Sequence, residues 1–306
     1  PSTKKSFAVK LRIPAWCRSA PIRVDGEKLD TRTTADGYMS IQRAWSPGDK
    51  IELNLTLESR VIIGDHNNQG KVALLYGPLV LAADEALLTD EVKKLADVVI
   101  ADSDVGELAV TPEPAPENVK TWPGAQVFRI KTRARKAGTP VEVRLIPFAD
   151  AGGMGMRYKV WLPLPGGPGA NVLLDGLESR SRQGNLTSSV NDDDLQEPVN
   201  TFNNQPAKED WFAVALDAPA PIRRVLFMHG KSFHDGGWFD TSTGKPKVQI
   251  RREKDGAWET IGELSDYPVT TATSNARLKS GQAFTLRLAS PVEVFAVRVL
   301  GVPACG

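Results

Sequence analysis

The residues best suited to hold a ligand fall together in one short run, Gly230-Lys231-Ser232-Phe233-His234-Asp235-Gly236-Gly237-Trp238-Phe239-Asp240. Trp238 and Phe239 offer apolar ring faces for the C–H side of a sugar. His234 and Asp235 offer donors and acceptors for its hydroxyls. The Gly236-Gly237 pair reads as a flexible hinge between two strands. The same residues suit a second use, an apolar plug in which Trp238 and Phe239 cover one end of a barrel. Trp211 and Trp258 lie within strand-like patterns and are read as core. Trp122, in a proline-rich stretch, is left open between exposure and packing.

A second cluster is acidic. Asn191-Asp192-Asp193-Asp194 presents hard oxygen donors, and Asp192 and Asp194 are the candidate ligands for a structural Ca²⁺. The spacing is not that of an EF-hand loop, and a solvated acidic turn is the alternative. Covalent catalysis finds less support. No G-x-S-x-G nucleophile elbow occurs. Of the three histidines, His229 ends an apolar strand, His234 lies in a loop, and His66 sits in the polar loop Asp65-His66-Asn67-Asn68. The two cysteines, Cys17 and Cys305, lack C-x-x-C spacing, which excludes a zinc knuckle or redox motif. Whether they pair is open. Carboxylate pairs suited to glycoside hydrolysis cannot be picked out among 37 Asp and Glu.

These groups must be positioned by strands. Phe7, Val9, Leu11 and Ile13 alternate with polar residues, as do Ile51, Leu53, Leu55 and Leu57, and period two marks half-buried strands. Asp25-Gly26 signals a hairpin turn and Pro47-Gly48-Asp49 another turn. Val72 to Leu81 is continuously apolar, as in a strand buried on both faces. Residues 86–97 carry Leu87, Leu88, Val92 and Leu95 at helical spacing and predict one short helix. Pro112, Pro114, Pro116 and Pro123 predict an extended loop over 111–124. Strands are expected at Val127–Lys131, Val141–Pro147 and Arg157–Leu162. Pro165-Gly166-Gly167-Pro168-Gly169 reads as a linker, residues 165–170, between domains at 5–164 and 171–301. The fold class read from the strands is therefore all-β, in two units.

Composition bounds the partners. The 306 residues suffice for two domains, and 38 Lys+Arg against 37 Asp+Glu leave a net charge of +1. A chain with no field of one sign is a poor match for nucleic acid or an anionic membrane, and no apolar run approaches the ~20 residues that span a bilayer. The start at Pro1 and the stop at Cys305-Gly306 fit a fragment of a longer precursor.

Two resemblances sharpen this. The order Phe7-Ala8-Val9-Lys10-Leu11-Arg12-Ile13-Pro14-Ala15-Trp16, Ile22-Arg23-Val24-Asp25-Gly26, Gly37-Tyr38, Trp45-Ser46-Pro47-Gly48-Asp49, Gly70–Val80 and then Leu145–Asp150 with Arg157–Trp161 resembles the β-sandwich that follows the helical barrel in family-127-like glycoside hydrolases, the β-L-arabinofuranosidase group. Residues 175–301 resemble a discoidin-like, galactose-binding-type jelly roll, through Trp211-Phe212-Ala213-Val214-Ala215-Leu216, a Trp258 hairpin and a closing Val292–Leu300 strand. In the hydrolase family the chemistry belongs to the barrel, with a cysteine nucleophile in a zinc site and a glutamate acid/base. No residue of this chain matches those positions. The resemblance implies a non-catalytic accessory region of a secreted or periplasmic enzyme, with carbohydrate and the missing catalytic barrel as partners. It also implies His66 as a residue of a barrel-facing loop, and it supports structural calcium near Asp192 and Asp194. Two other readings stand beside it: purely structural docking modules, and one segment of an active enzyme whose barrel lies on a preceding segment.

Overall fold

A computed structural model describes the chain except for residues 30–35, 102–104, 107, 117–125, 136–137, 154, 187, 194–196, 206 and 305–306. The protein is all-β, with helical structure confined, among the described residues, to single 3-10 turns. It divides into two compact units, Pro1–Ala134 with Thr139–Gly167, and Arg135–Gly138 with Pro168–Gly306. No helix among the described residues is long and apolar enough to cross a membrane.

The first unit opens with β1 (Lys5–Arg12), β2 (Ile22–Val24), β3 (Glu27–Leu29), β4 (Tyr38–Trp45) and β5 (Ile51–Leu53), all antiparallel. They form two small sheets, β1–β4 and β3–β2–β5. The β2–β3 turn is the Asp25-Gly26 pair, with φ of 52° and 86°, the left-handed pairing that a two-residue hairpin needs. Alternation along β2 and β4 sends Ile22, Val24, Met39, Ile41 and Trp45 into a core of their own. Trp45 also donates its indole N–H to the Phe7 carbonyl, adding a side-chain bond to the β1–β4 pair.

A nine-stranded sheet follows, from β6 (Ser59–Ile63), β7 (Lys71–Tyr76), β8 (Leu79–Asp84), β9 (Val98–Val99), β10 (Thr111–Pro114), β11 (Gln126–Ala134), β12 (Pro140–Pro147), β13 (Tyr158–Lys159) and β14 (Leu162–Pro163). Val72, Leu74, Leu81, Phe128, Ile130 and Leu145 build its main core. Each such side chain contributes about 1.5–3 kcal/mol by leaving water.

Three sequence expectations change here. The apolar run Val72–Leu81 is two strands, because Gly77 at φ 56° and Pro78 turn the chain between them. The helix expected over 86–97 is replaced by 3-10 turns at Glu85–Leu87 and Leu95–Asp97; Val92 and Leu95 are buried all the same. Apolar burial survived, while the i→i−4 ladder was not needed to achieve it. The proline-rich stretch supplies β10, paired from Thr111↔Arg129 to Pro114↔Gln126. This strand lies at the end of the sheet order, where prolines at alternate positions need donate no ladder N–H on the outer side.

The second unit is framed by two long antiparallel strands. Its elements are β15 (Leu177–Arg180), β16 (Asp210–Met228), β17 (Phe239–Asp240), β18 (Lys247–Arg251), β19 (Glu259–Glu263) and β20 (Ala283–Pro303), in the order β15-β16-β20-β18-β19 with β17 on β20. Pairing of β16 with β20 shifts register between Ala215 and Ala220, a gap that contains Pro219, and again between Ile222 and Arg224. The ribbon bends there. Ile222, Val225, Phe284 and Val294 of one half join Val297 and Val299 of the other, and Val248 and Ile250 of β18, in a single core. A long ribbon folded over its own apolar face is the frame of a jelly-roll sandwich.

Candidate functional site

The run 229–240 leaves β16 and is held tightly at both ends. The His229 amide donates to the Gln282 carbonyl and its own carbonyl accepts from Gly281. Its imidazole is buried, with Nε2 3.0 Å from Ser232 Oγ, and burial holds its pKa below the ordinary value. Phe233 and Gly236 form an isolated bridge. Gly237 sits at φ 96°, and a Cβ there would lie 2.6 Å from the Lys231 carbonyl. The expected hinge is thus a tied turn.

This geometry reassigns the aromatic residues. Trp238 is 8% exposed and Phe239 5%, both within the core. The Trp238 indole N–H donates to the Thr271 carbonyl at 2.9 Å, and its own carbonyl accepts from the Ala304 amide. Phe239 packs against Phe212, Phe227 and Tyr267, with ring centroids 5.7–6.5 Å apart. The expectation that Trp238 and Phe239 stack on a sugar is corrected to the plug role, because neither ring has a face left for a ligand. His234, 93% exposed, and Asp235 stand in solvent, 3.6 Å apart, without that stacking partner.

The acidic cluster is engaged in hydrogen bonds. Asp192 accepts from Ser188 Oγ at 2.9 Å and from the Ser189 amide at 3.4 Å. The Asn191 side-chain amide donates to the carbonyls of Leu173, Leu174 and Gly176. Asp194 lies outside the described residues. Among the described residues no three His, Cys, Asp or Glu side chains converge on one point. Ser188 Oγ also lies 3.4 Å from Glu197 Oε2, so it bridges Asp192 and a second carboxylate. A hydroxyl and an amide directed at Asp192 do not fit a calcium cage. The run locks a loop. His66 occupies a 3-10 turn at φ 46°, its ring exposed and 3.2 Å from Asp65. Cys17 is a buried free thiol donating to the Ser19 carbonyl; Cys305 and Trp122 lie outside the described residues.

Above the acidic cluster runs a buried polar network that sequence reasoning missed. Arg180 donates to Glu178, Leu186, Ser188 and Asn200. Arg182 grips Asp210 through two bonds, and Ser181 and Thr201 add hydroxyls to the same carboxylate.

The tryptophans read as core lie elsewhere. Trp211 and Trp258 are half-buried, outside the apolar core, on the outer face of the β16-β20-β18-β19 sheet. Arg298 projects from β20 with its guanidinium carbon 4.4 Å from the Trp258 ring centroid and 5.7 Å from that of Trp211. The guanidinium of Arg251, on β18, lies 4.5 Å from Trp258. Gln249 accepts from Arg298 Nε at 2.8 Å and donates to Thr260 Oγ1 at 2.8 Å. Burial lowers the Arg298 pKa; the charge of Glu209 opposes that and the charge of Arg251 adds to it. The signal was present in the sequence. With Phe212, Val248, Ile250, Val297 and Val299 facing in, period two sends Trp211, Gln249, Arg251 and Arg298 out. A face of this kind can stack planar or ring-shaped groups and donate hydrogen bonds from fixed guanidinium forks.

Comparison with known proteins bears on the first unit most directly. Residues 1–57 match the family model described as β-L-arabinofuranosidase, GH127 middle domain. That span contains β1 to β5 and the core they enclose. No curated protein matches. Among solved structures, a GH127 β-L-arabinofuranosidase from Geobacillus stearothermophilus T6 is 25% identical over 54% of this chain and 27% of its own, with a TM-score of 0.44. A glycoside hydrolase is 21% identical over 52% of this chain and 28% of its own, TM-score 0.45. The family 32 CBM of C. perfringens NanJ, solved with galactose, is 12% identical over 42% of this chain and 82% of its own, TM-score 0.30. This chain therefore spans less than a third of the two hydrolases. It carries a GH127-related domain at residues 1–57.

Proposed function

We propose that this chain is a non-catalytic accessory region of a glycoside hydrolase. The first unit supports a catalytic barrel supplied by another part of the same protein, and the second unit contacts plant polysaccharide. The carrying observation is the GH127 middle-domain match over residues 1–57, a span whose strands close a core of their own. The exposed His66 turn after β6 is the loop we assign to the barrel side. The outer face bearing Trp211 and Trp258 supports contact with saccharide in the second unit. The parent enzyme would act in the periplasm or outside the cell. A second reading, docking modules without a ligand, draws its support from the burial of Trp238 and Phe239.

The test is affinity electrophoresis of the purified chain in gels containing arabinose-rich polysaccharides, alongside an assay with an aryl β-L-arabinofuranoside. Retardation without turnover is expected. Turnover abolished by a point substitution in this chain would overturn the accessory role; free migration through every polysaccharide would favour the docking reading.

A further inference from the structure

We propose that the outer face carrying Trp211, Gln249, Arg251, Trp258 and Arg298 binds an acidic saccharide, with the carboxylate of a hexuronate residue held by the two guanidiniums and its ring against the indoles. The inference rests on the reading that the second unit contacts polysaccharide, and it supplies the site and the ligand chemistry that reading leaves open.

Two observations point to an anionic ligand rather than a self-sufficient surface ladder. First, two like charges are brought to one indole. Arg298 and Arg251 stand 4.4 and 4.5 Å from the Trp258 centroid, and no described carboxylate forms an ion pair with either. Glu209 attracts Arg298 only from beyond ion-pair range, and the nearby Glu259 is occupied by Arg252 at 2.8 and 3.2 Å. Repulsion between the two cations is left for a ligand to relieve. Second, donor capacity is unspent. No described residue accepts a hydrogen bond from Arg251; its Nε is buried, which leaves the Nη groups to meet a ligand. Arg298 is fixed through Nε by Gln249, and no described residue accepts from its two Nη groups. A guanidinium held by one edge with the other free suits a planar carboxylate, which accepts two parallel bonds.

The surroundings select a sugar over a bare anion. Trp211 and Trp258 flank Arg298, so a pyranose resting against the exposed parts of the indoles brings an equatorial carboxylate toward the fork. Gln249 and Thr260 add an amide and a hydroxyl for ring hydroxyls. Trp211, Gln249, Arg251 and Arg298 rise from paired strands and Trp258 directly precedes β19, so most of the platform is fixed before binding.

The experiment titrates the whole chain calorimetrically with trigalacturonate, neutral galactotriose, a sulfated galactose trisaccharide and short polyglutamate. Trigalacturonate should bind more tightly than the other three, with an affinity that falls as salt rises. Arg298→Gln or Arg251→Gln should weaken it about tenfold, as expected for loss of a charge-assisted hydrogen bond, and Arg298→Lys should not restore it. Denaturant melts of each variant report folding, and Arg251→Gln carries the test if Arg298→Gln unfolds. Equal binding of trigalacturonate and galactotriose, insensitive to Arg298→Gln, would overturn the carboxylate assignment. Equal or tighter binding of polyglutamate or of the sulfated sugar would overturn the hexuronate assignment. If trigalacturonate fails to bind while neutral arabinan retards the chain, this inference falls and the polysaccharide-contact reading stands; if neither binds, both of these fall and the docking reading takes their place.

Discussion

Arg182 meets Asp210 edge-on, with Nε 2.9 Å from Oδ1 and Nη2 2.6 Å from Oδ2, and the aspartate is only 2% exposed. Asp210 opens β16, and Arg182 lies two residues beyond the end of β15. The pair therefore pins the long loop 183–209 at the point where it re-enters the sheet. Ser181 and Thr201 complete the carboxylate, so both of its oxygens are satisfied.

Removing the acid alone leaves the Arg182 cation buried without its counter-charge. Asp210→Ala is expected to cost about 3–5 kcal/mol, the range for breaking one half of a buried pair. Chemical denaturation of wild type and variant measures it. A loss below about 1 kcal/mol would mean that the loop relaxes and water reaches the guanidinium.

Trp238→Ala separates plug from platform. Its ring is enclosed and its N–H is bonded to the Thr271 carbonyl, so truncation leaves a cavity and leaves that carbonyl only the longer bond from the Ser274 amide. A destabilisation of about 3–5 kcal/mol is expected, with saccharide affinity unchanged once the folded fraction is accounted for. Weakened binding at full stability would return Trp238 to the ligand site.

The strand pattern was legible because alternation is a local property. Ile22/Val24 and Val248/Ile250 announce their inward faces in three residues each. The Asp25-Gly26 turn was legible because positive φ restricts residue choice so strongly. The roles of the tryptophans were not. Trp238 looked like a ligand residue because glycines and polar residues surround it in sequence; its partners Thr271 and Ala304 arrive from far along the chain. Trp211 looked like core because its neighbours are apolar, although Phe212 takes the inward position and alternation then turns Trp211 outward. The meeting of Arg298 with Trp258 depends on three strands in register, which no local pattern encodes. Residues 86–97 failed differently: helical spacing was present, but the burial it achieves was met by two short turns.

The acid limb of stability should report His229. Its imidazole is held neutral by burial, against Ser232, so its folded pKa lies below the ordinary 6.5. Below pH 6.5 the unfolded chain takes up a proton that the folded chain refuses. Stability is therefore lost as pH falls from 6.5 toward the folded pKa, and this group contributes no pH dependence above 6.5. Melts of wild type and His229→Gln across pH 5 to 8 should converge toward the acid end of that range. Parallel curves would show that the imidazole takes up its proton inside the fold as readily as outside.

The alkaline limb should report Tyr267. This ring is 1% exposed, packs 4.7 Å from the Phe284 ring centroid, and accepts the Phe239 N–H at its hydroxyl oxygen. Burial pushes its pKa from 10.0 up to about 12, and the Phe239 hydrogen bond opposes that only in part. The raised value means that the unfolded chain gives up the phenolic proton from about pH 10 while the folded chain keeps it until about 12. Unfolding then releases a proton, so stability falls as pH rises through this window, by up to about 1.4 kcal/mol per pH unit. Below pH 10 the contribution is whole. Tyr267→Phe removes the titration and leaves the Phe239 amide without its acceptor, a cost of about 1–3 kcal/mol. The variant should thus be less stable than wild type at pH 8, and the gap should close or reverse between pH 10 and 12. A constant gap across that window, from denaturant midpoints on both proteins, would show that the Tyr267 hydroxyl ionises as easily in the core as in water.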